Sequence, residues 1–256
     1  MQRRFWNDFE VINVKDIEEY LGKTVNIVID RPLGSAHPQF PGLIYEVNYG
    51  YIPGTDGGDG EEADVYLLGV GKPLSEYTAE IIGIIYRKND VEFKLVAAPV
   101  GTVMHQGEIA EAVHFQEKYF ETEIDALHQK SCGAVVYREN GGKREYLCLL
   151  QARSGVYSVP KGHTEAFETE RQTAEREARE EAGIELLFKE GFRREIHYTV
   201  RETRKKKLVL FLAECRGEPK YDGHEISNHR WATLAEAKKC LPDDYAPILE
   251  AAEEYI

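Results

Sequence analysis

The sequence predicts two domains of different fold class, a mostly β domain over residues 1–127 and an α/β/α sandwich over residues 128–256. The first half is rich in Gly, Pro and Tyr. Its short alternating apolar runs, such as TVNIVID (24–30), lie between turn clusters, a pattern typical of strands. The second half alternates strand-like runs with helical patterns, so helices would cover both faces of its sheet. We place the boundary near Leu127.

Composition excludes several classes of partner. The net charge of -13 and the pI near 5.2 argue against a nucleic-acid coat or an anionic membrane surface. The four cysteines are scattered and form no C-x-x-C pair, which favours reduced thiols and a cytoplasmic protein. The first residues lack the apolar stretch of a signal peptide, and no run approaches membrane-spanning length. We therefore expect a small-molecule substrate, with oligomerisation possible through the N-terminal domain.

Turn residues and periodicity predict the elements that surround the charged helix. Two apolar runs flank an Asn-Gly-Gly turn in SCGAVVYRENGGKREYLCLLQ (131–151), which indicates a hairpin. A second hairpin is predicted over residues 191–214, and HEISNHRWATLAEA (224–237) supplies a strand end and an amphipathic helix. Just before the first hairpin, FETEIDALHQKS (120–131) has a polar, helical pattern.

The stretch GHTEAFETERQTAEREAREEAGI (162–184) predicts a helix with an unusual charge distribution. Glu177, Glu180 and Glu181 project within a sector of about 100°, where like charges repel and destabilise a helix. An alanine every fourth residue beside them forms a small packing stripe, and Gly183 would end the helix. Three carboxylates beside a packing face suit Mg²⁺ (or Mn²⁺), which takes oxygen ligands and would offset the repulsion.

The spacing in this stretch is more specific than its charge. Gly162 is followed after five residues by Glu168, and after seven more by Arg176-Glu-Ala-Arg-Glu-Glu-Ala-Gly-Ile. This pattern resembles the catalytic box of Nudix hydrolases, an α/β/α family that cleaves nucleoside diphosphates linked to another group. Nearly all of the C-terminal half is similar to the diadenosine tetraphosphate hydrolase branch. That similarity rests on SCGAVVYR, VPKGH, EIHYTVR, KKKLVLFLAE and HEISNHRW.

The resemblance implies roles for residues of the box. Glu177, Glu180 and Glu181 would hold Mg²⁺, and Glu180 or Glu181 would take a proton from the attacking water. Glu168 and Arg176 would form an ion pair that braces the loop.

Residues outside the box would bind substrate. Lys161 and His163 would contact phosphate, and Glu225 is either an extra ligand or base, or a surface carboxylate. Lys206 lies in a basic cluster, RETRKKK (201–207), which is either a phosphate clamp or a soluble turn. Tyr198 would stack on adenine, although an aromatic residue in a strand is normally part of a core.

Two residues depart from the branch. Phe167 replaces the usual glycine before Glu168, so the loop above the box would be shaped differently. His229 stands where a second stacking tyrosine is expected and would itself face the substrate. Both departures bear on how the second nucleoside would be bound and not on the hydrolysis itself.

The N-terminal half carries a second resemblance. YEVNYGYIPGTDGGDGEEADVYLLG (45–69) resembles the signature region of family I inorganic pyrophosphatases, and EFKLVAAP (92–99) resembles a later part of their site. This implies a closed β-barrel related to OB folds. Carboxylates on a glycine-rich turn suit Mg²⁺, although such turns are also common solvated loops. The implied metal and phosphate residues are Asp59, Glu61, Asp64, Glu92, Lys94, Tyr45 and Tyr49.

About half of that second site is missing. Asn26-Ile27-Val28 stands where the family has Lys-x-Glu, and Arg87 or Lys88 stands at a metal aspartate. Tyr119 is kept, but Phe120 stands at the usual lysine. Because pyrophosphate hydrolysis needs several metals and cations, we expect weak or lost activity.

These observations predict a Mg²⁺-dependent hydrolase of dinucleoside polyphosphates, fused to a pyrophosphatase-like domain. One alternative is a nucleoside triphosphate pyrophosphohydrolase coupled to an active pyrophosphatase. The other is a nucleotide-sensing binding protein without catalysis.

Overall fold

The computed structural model describes residues 17–57, 60–88, 93–201 and 203–256. The chain divides into two compact units, the first ending at His128 and the second beginning at Gln129. In the part of the chain that is described, no helix combines the length and the apolar character needed to cross a membrane.

The described part of the N-terminal unit is a small closed sheet with a helix, α1, packed on it. Five strands pair in the order β1-β2-β3-β5-β4, and β4 pairs back onto β1, which closes the ring. A sixth strand, β6, adds to the outer side of β4. The elements are β1 Thr24–Arg31, β2 Asn48–Tyr51, β3 Asp64–Leu67, β4 Glu76–Arg87, β5 Phe93–Ala98, α1 Gln106–Glu117 and β6 Thr122–Ala126.

Strand alternation gives this unit two apolar layers. Val65 and Leu67 of β3 belong to a core that draws on β1, β3, β4 and β5, and so fills the ring. Tyr66, between them, faces the other side, where α1 packs through Ile109 and Val113.

The helix predicted over residues 120–131 is wrong. Thr122–Ala126 forms β6, which runs antiparallel to the Gly83–Arg87 part of β4. The isolated pattern of polar and apolar residues fits a helix, but the unpaired edge of β4 supplies backbone hydrogen bonds that override it.

The C-terminal unit is a seven-stranded sheet with helices on both faces. The path is β11-β12-β7-β8-β13, with β10 paired to β7 and β9 paired to β8. The strands are β7 His128–Asn140, β8 Lys143–Gln151, β9 Tyr157–Ser158, β10 Lys161–His163, β11 Glu185–Val200, β12 Arg204–Arg216 and β13 Ile226–Ala232. The helices are α2 Glu170–Ala182, α3 Leu234–Cys240 and α4 Ala246–Tyr255, and a 3₁₀ turn at Asp243–Tyr245 precedes α4.

Both predicted hairpins are confirmed. Gly141 and Gly142, with φ of 58° and 77°, turn β7 into β8, because only left-handed residues match the strand twist in a two-residue loop. The second hairpin joins β11 to β12.

The predicted sandwich is also confirmed, and alternation along β8 explains it. Leu147 and Leu149 pack towards Ala178 and Ala182 of α2. Cys148, between them, packs on the opposite face with residues of α3 and α4. Each face of the sheet therefore buries one helical layer.

Candidate active site

Helix α2 has strong signals at both ends. Thr169 caps the N-terminus, with its hydroxyl accepting from the Gln172 N–H and the Gln172 side chain accepting from the Thr169 N–H. Gly183, with φ of 62°, ends the helix in the left-handed region. The predicted alanine stripe is fully buried, so the helix lies close against the sheet. This packing holds the glutamates of its last two turns at the edge of β10.

Glu177 explains the first glycine of the box. A Cβ atom on Gly162 would lie 2.0 Å from Glu177 Oε1, so only glycine leaves space for this carboxylate against the backbone of β10. Burial raises the pKa of Glu177, although the adjacent Arg176 guanidinium opposes that rise.

Glu181 is the most desolvated carboxylate of the site. Its Oε2 accepts a hydrogen bond of 3.0 Å from the Lys161 backbone N–H, and the Gln151 amide approaches Oε1 at 3.5 Å. Burial raises the pKa of Glu181 to about 7, and the Lys161 charge only partly offsets this. A carboxylate with a pKa near neutrality is suited to accepting a proton.

Arg176 neutralises this group of acids. The predicted ion pair with Glu168 is present, with Nε at 2.7 Å from Oε1. The same guanidinium contacts Glu177 at 2.7 Å and Glu180 at 3.0 Å, and it donates to the His163 carbonyl. Its hydrogen bonds to Glu168 and its neighbours raise the pKa of Arg176 further above its usual range.

The three box glutamates are close in the chain but differ in environment. Glu177 and Glu181 are buried, whereas Glu180 keeps 57% of its side chain exposed. Among the described residues, no three acidic, His or Cys side chains converge as metal ligands, and Arg176 lies against Glu177 and Glu180. The donor chemistry nevertheless fits a hard divalent cation, since desolvated carboxylate oxygens require a cationic partner.

Cationic side chains face these carboxylates. Lys206 lies with Nζ 2.7 Å from Nε2 of His163, so two of the predicted phosphate-binding residues are brought together. Burial and the charge of Lys161 lower the pKa of Lys206 to about 8. Tyr198 is directly opposite Lys206 in the β11–β12 register, so both lie on the same face of the hairpin.

Only part of the basic cluster can act as a clamp. Lys205 and Lys207 alternate with Lys206 along β12 and therefore project from the other face of the hairpin. Arg204 shares the face of Lys206 but is buried. Of the lysines in this strand, Lys206 is the one directed to the site.

The structure adds residues that sequence reasoning missed. Tyr245, in the turn before α4, hydrogen-bonds with Ser158. Burial raises the pKa of Tyr245, and Tyr198 and Glu181 are close enough to raise it further. Tyr198, beside Tyr245, keeps 37% of its surface exposed. A tyrosine in a short C-terminal turn gives no sequence signal for a site, because only the tertiary fold brings it to Tyr198.

An open cleft borders two of the box glutamates. It has a volume of about 470 Å³, and the box residues lining it are Glu180 and Glu181. The predicted Glu225 lines it too, as does Tyr221, which sequence reasoning missed. The other lining residues are Asp222, His224 and Ile226. His229 lies behind Tyr221, with Nδ1 3.3 Å from the tyrosine hydroxyl.

The loop before α2 is strained at Phe167. This residue has φ of 64° and is 61% exposed. The left-handed conformation favours glycine and costs other residues roughly 1–2 kcal/mol. The loop is nevertheless held, because Glu168 accepts from the Glu165 N–H at 3.1 Å as well as from Arg176.

The structure brings together four of the N-terminal candidate residues. Asp64 forms an ion pair with the buried Lys94, and the Tyr49 hydroxyl hydrogen-bonds to Asp64. Tyr45 lies beside them, with its ring 5.4 Å from that of Tyr49. Its hydroxyl accepts from Arg31 at 3.1 Å. Glu61 is exposed, and the candidates Asp59 and Glu92 lie outside the described residues.

A second buried ion pair involves Arg87, one of the two residues that stand where the resemblance to pyrophosphatases implies a metal-binding aspartate. Arg87 makes two hydrogen bonds to Glu117, at 3.0 and 2.6 Å, and its guanidinium stacks 3.6 Å from the centre of the Phe120 ring. The half-buried Asp64 and the buried Glu117 thus each carry a cation of the protein's own. Within the described part of the unit, this arrangement does not fit a divalent-metal centre.

Comparisons with known proteins agree with this geometry in the C-terminal unit. The NUDIX domain family model matches residues 127–252. The asymmetrical bis(5'-nucleosyl)-tetraphosphatase of Sus scrofa is 37% identical over 144 residues, covering 50% of this chain and 95% of that protein. The Caenorhabditis elegans enzyme of that name is 35% identical over 123 residues, covering 46% of this chain and 86% of that protein. A crystal structure of a C. elegans Ap4A hydrolase binary complex is 28% identical, with a TM-score of 0.47, and spans 50% of this chain and 96% of that one.

The site and the matches together define an enzyme that acts on acid anhydrides in phosphorus-containing substrates. The chain belongs to the NUDIX family.

Proposed function

We propose that the C-terminal unit hydrolyses dinucleoside polyphosphates, cleaving diadenosine tetraphosphate into ATP and AMP. The observation that carries this proposal is the desolvated Glu181 carboxylate beside the Lys161 cation, with Lys206 close enough to Lys161 and Glu177 for both charges to shift its pKa. Lys206 also lies against His163 and shares one face of the hairpin with Tyr198, so a proton-accepting carboxylate, phosphate-binding cations and an aromatic side chain belong to one site. The similarity to asymmetrical tetraphosphatases supports the choice of substrate.

Each group has a distinct task in this proposal. Lys206, with His163, holds the phosphate chain, while Tyr198 stacks on one adenine. Glu181, oriented by the Lys161 N–H, takes the proton of the water that attacks phosphorus. Glu225 lies in the same cleft as Glu181 and is a second candidate for this proton transfer.

Mg²⁺ or Mn²⁺ is the proposed cofactor, and Glu177, Glu180 and Glu181 would hold it. A bound divalent cation makes the attacking water more acidic and neutralises charge on the phosphoryl oxygens. Arg176 releases Glu177 and Glu180 for this purpose while it keeps its contact with Glu168. We place the reaction in the cytoplasm, in line with four cysteines that form no disulfide.

The test is product analysis on the full chain. Diadenosine tetraphosphate and Mg²⁺ are incubated with wild type, Glu181→Gln and Glu175→Gln, and the nucleotides are separated by ion exchange. Glu175 is an exposed acid on the same helix and serves as the matched control. We expect equal ATP and AMP from wild type and the control, with little product from Glu181→Gln. Two molecules of ADP, or unreacted substrate, would contradict the proposal.

A nucleoside triphosphate pyrophosphohydrolase is the rival enzyme, and it would release pyrophosphate from a mononucleotide. A nucleotide sensor is the rival without catalysis, and it would leave Glu181→Gln indistinguishable from wild type in every assay. The desolvated pair of Glu177 and Glu181 argues against a sensor, because such carboxylates destabilise a site that performs no chemistry.

For the N-terminal unit, we propose a pyrophosphatase-like barrel with weak or lost activity. Support comes from the closed ring of five strands and from the cations that Asp64 and Glu117 already hold. Release of phosphate from pyrophosphate by the full chain, abolished by Asp64→Asn but not by Glu181→Gln, would show instead that this unit is an active pyrophosphatase.

A further inference from the structure

The cleft beside the box glutamates contains an aromatic residue that the proposed reaction has not used. Of the residues lining it, four are acidic, namely Glu180, Glu181, Asp222 and Glu225. Tyr221 is the aromatic side chain among them. A neutral, flat group entering from solvent would find its stacking surface at this tyrosine.

Tyr221 is held in place from behind. Its ring meets the His229 ring edge-on, with centroids 5.7 Å apart and planes at 75°. Its hydroxyl lies 3.3 Å from His229 Nδ1 and 3.5 Å from Asn228 Oδ1. One part of the ring also packs against the apolar layer below α2. Fixing the ring in this way lowers the entropic cost of stacking a ligand on it.

Strand register places this aromatic pair close to the box. His229 is directly opposite Leu149 in the β8–β13 ladder, on the sheet face that α2 covers. Two residues further along β8, Gln151 reaches Glu181. The His229 ring and the Glu181 carboxylate therefore lie over neighbouring positions of one strand.

The strand order separates the two aromatic residues. Tyr198 lies on β11 and Tyr221 just before β13, and these are the two end strands of the sheet path, whereas Glu181 contacts Gln151 of β8 and Lys161 of β10. A ligand with a base at each end of a phosphate chain could therefore reach Tyr198 and Tyr221 with its phosphates at the carboxylates between them.

We propose that Tyr221, braced by His229, is the surface on which the second nucleobase of a dinucleoside polyphosphate stacks. This inference rests on the proposed function and deepens it. It assigns the binding of the second nucleoside to Tyr221, eight positions before His229. His229 itself stands where the resemblance implies a second stacking tyrosine.

The experiment compares two ligands that share a phosphate chain. Diadenosine tetraphosphate has two bases, whereas adenosine 5′-tetraphosphate has one. Each is titrated calorimetrically with Mg²⁺ into the full chain carrying Glu181→Gln, which prevents turnover. The same titrations are made with Tyr221→Ala, Tyr221→Phe or Tyr198→Ala added to it.

The expected result is specific to the second base. Tyr221→Ala weakens the binding of diadenosine tetraphosphate by about tenfold or more, which is the range of base stacking on one aromatic side chain. It leaves the affinity for adenosine tetraphosphate unchanged. Tyr221→Phe keeps the affinity for both ligands. Unchanged binding of the one-base ligand also shows that Tyr221→Ala is folded.

Two outcomes overturn the inference separately from the proposed function. The reference protein, called the parent, is the full chain with Glu181→Gln alone. If adding Tyr221→Ala leaves the affinity for both ligands unchanged, or lowers both affinities to the same extent, Tyr221 does not bind the second base. The proposed function then still stands on wild-type product analysis. If the parent binds neither ligand and wild type hydrolyses neither, the proposed function fails and takes this inference with it.

Discussion

The Lys161 backbone N–H donates a 3.0 Å hydrogen bond to Glu181, which joins β10 to the last turn of α2. Because the donor is a main-chain group, no substitution of Lys161 other than proline removes it. The carboxylate therefore keeps its orientation while burial holds its pKa at about 7. The orientation of the Glu181 carboxylate depends on the Lys161 N–H, whereas its pKa depends mainly on burial. Separate experiments can therefore test the two.

Lys161→Met should leave Glu181 in place but remove a cation that faces it. Because the Lys161 charge lowers the pKa of Glu181, its loss moves the acidic limb of the kcat profile to higher pH. The measurement is kcat against pH for diadenosine tetraphosphate, with Lys205→Met as the control on the outer face of the hairpin. An unchanged acidic limb in Lys161→Met would show that Glu181 does not govern it.

Glu181→Gln should stabilise the metal-free protein at pH 8. The folded-state pKa lies above the ordinary 4.5, so the folded state binds the proton more tightly and loses stability as pH rises from about 4.5 through 7. The neutral amide avoids this cost, which amounts to at most about 3 kcal/mol. Urea unfolding in EDTA at pH 8 and pH 4.5 measures it. An equal effect of the substitution at both pH values would contradict the prediction.

Lys206 should give substrate affinity a basic limit. Its pKa of about 8 means that the ammonium loses its charge as pH rises above that value, so KM for diadenosine tetraphosphate increases. Lys206→Arg keeps a charge throughout this range. The rise in KM between pH 7.5 and 9.5 should therefore disappear in this variant. If it persists, another group is responsible.

Phe167→Gly should increase the stability of the C-terminal unit by about 1 kcal/mol, because glycine adopts positive φ without strain. The neighbouring Ala166→Gly, at a position without positive φ, should instead lower it. Thermal unfolding of both variants gives the comparison. A lower melting temperature for Phe167→Gly would mean that contacts of the ring outweigh the strain.

Arg87→Met should destabilise the N-terminal unit by roughly 3–5 kcal/mol, since it leaves Glu117 buried without its cation. Combining it with Glu117→Gln should recover a large part of the loss. Urea denaturation followed by circular dichroism, with the exposed Lys88→Met as control, measures both. Equal losses in the single and double variants would show that the pair does not act as a unit.

Sequence predicted those parts of the fold that local chemistry determines. The glycine turn at Gly141 and the left-handed Gly183 depend on residues within one or two turns of themselves. The ion pair of Glu168 with Arg176 spans eight residues on one loop and helix, and the resemblance to the Nudix box implied it.

The remaining features depend on long-range pairing, which no local pattern contains. β6 is a strand because β4 has a free edge, and Tyr245 approaches Tyr198 because α4 returns across the sheet. The exposure of Glu180, in contrast to its neighbours, depends on how α2 is rotated against β10. These relationships are tertiary, and periodicity alone does not determine them.

Arg176 would make metal uptake an exchange of cations rather than a simple addition. Its guanidinium already contacts Glu177 and Glu180, so these acids are neutralised without a divalent ion. A metal held by these glutamates would replace one side chain and would not be needed to fold the site. The protein should therefore stay folded in chelator, and its apparent affinity for Mg²⁺ should include the cost of moving this arginine. A weaker contact here would give tighter metal binding but a less stable apoprotein.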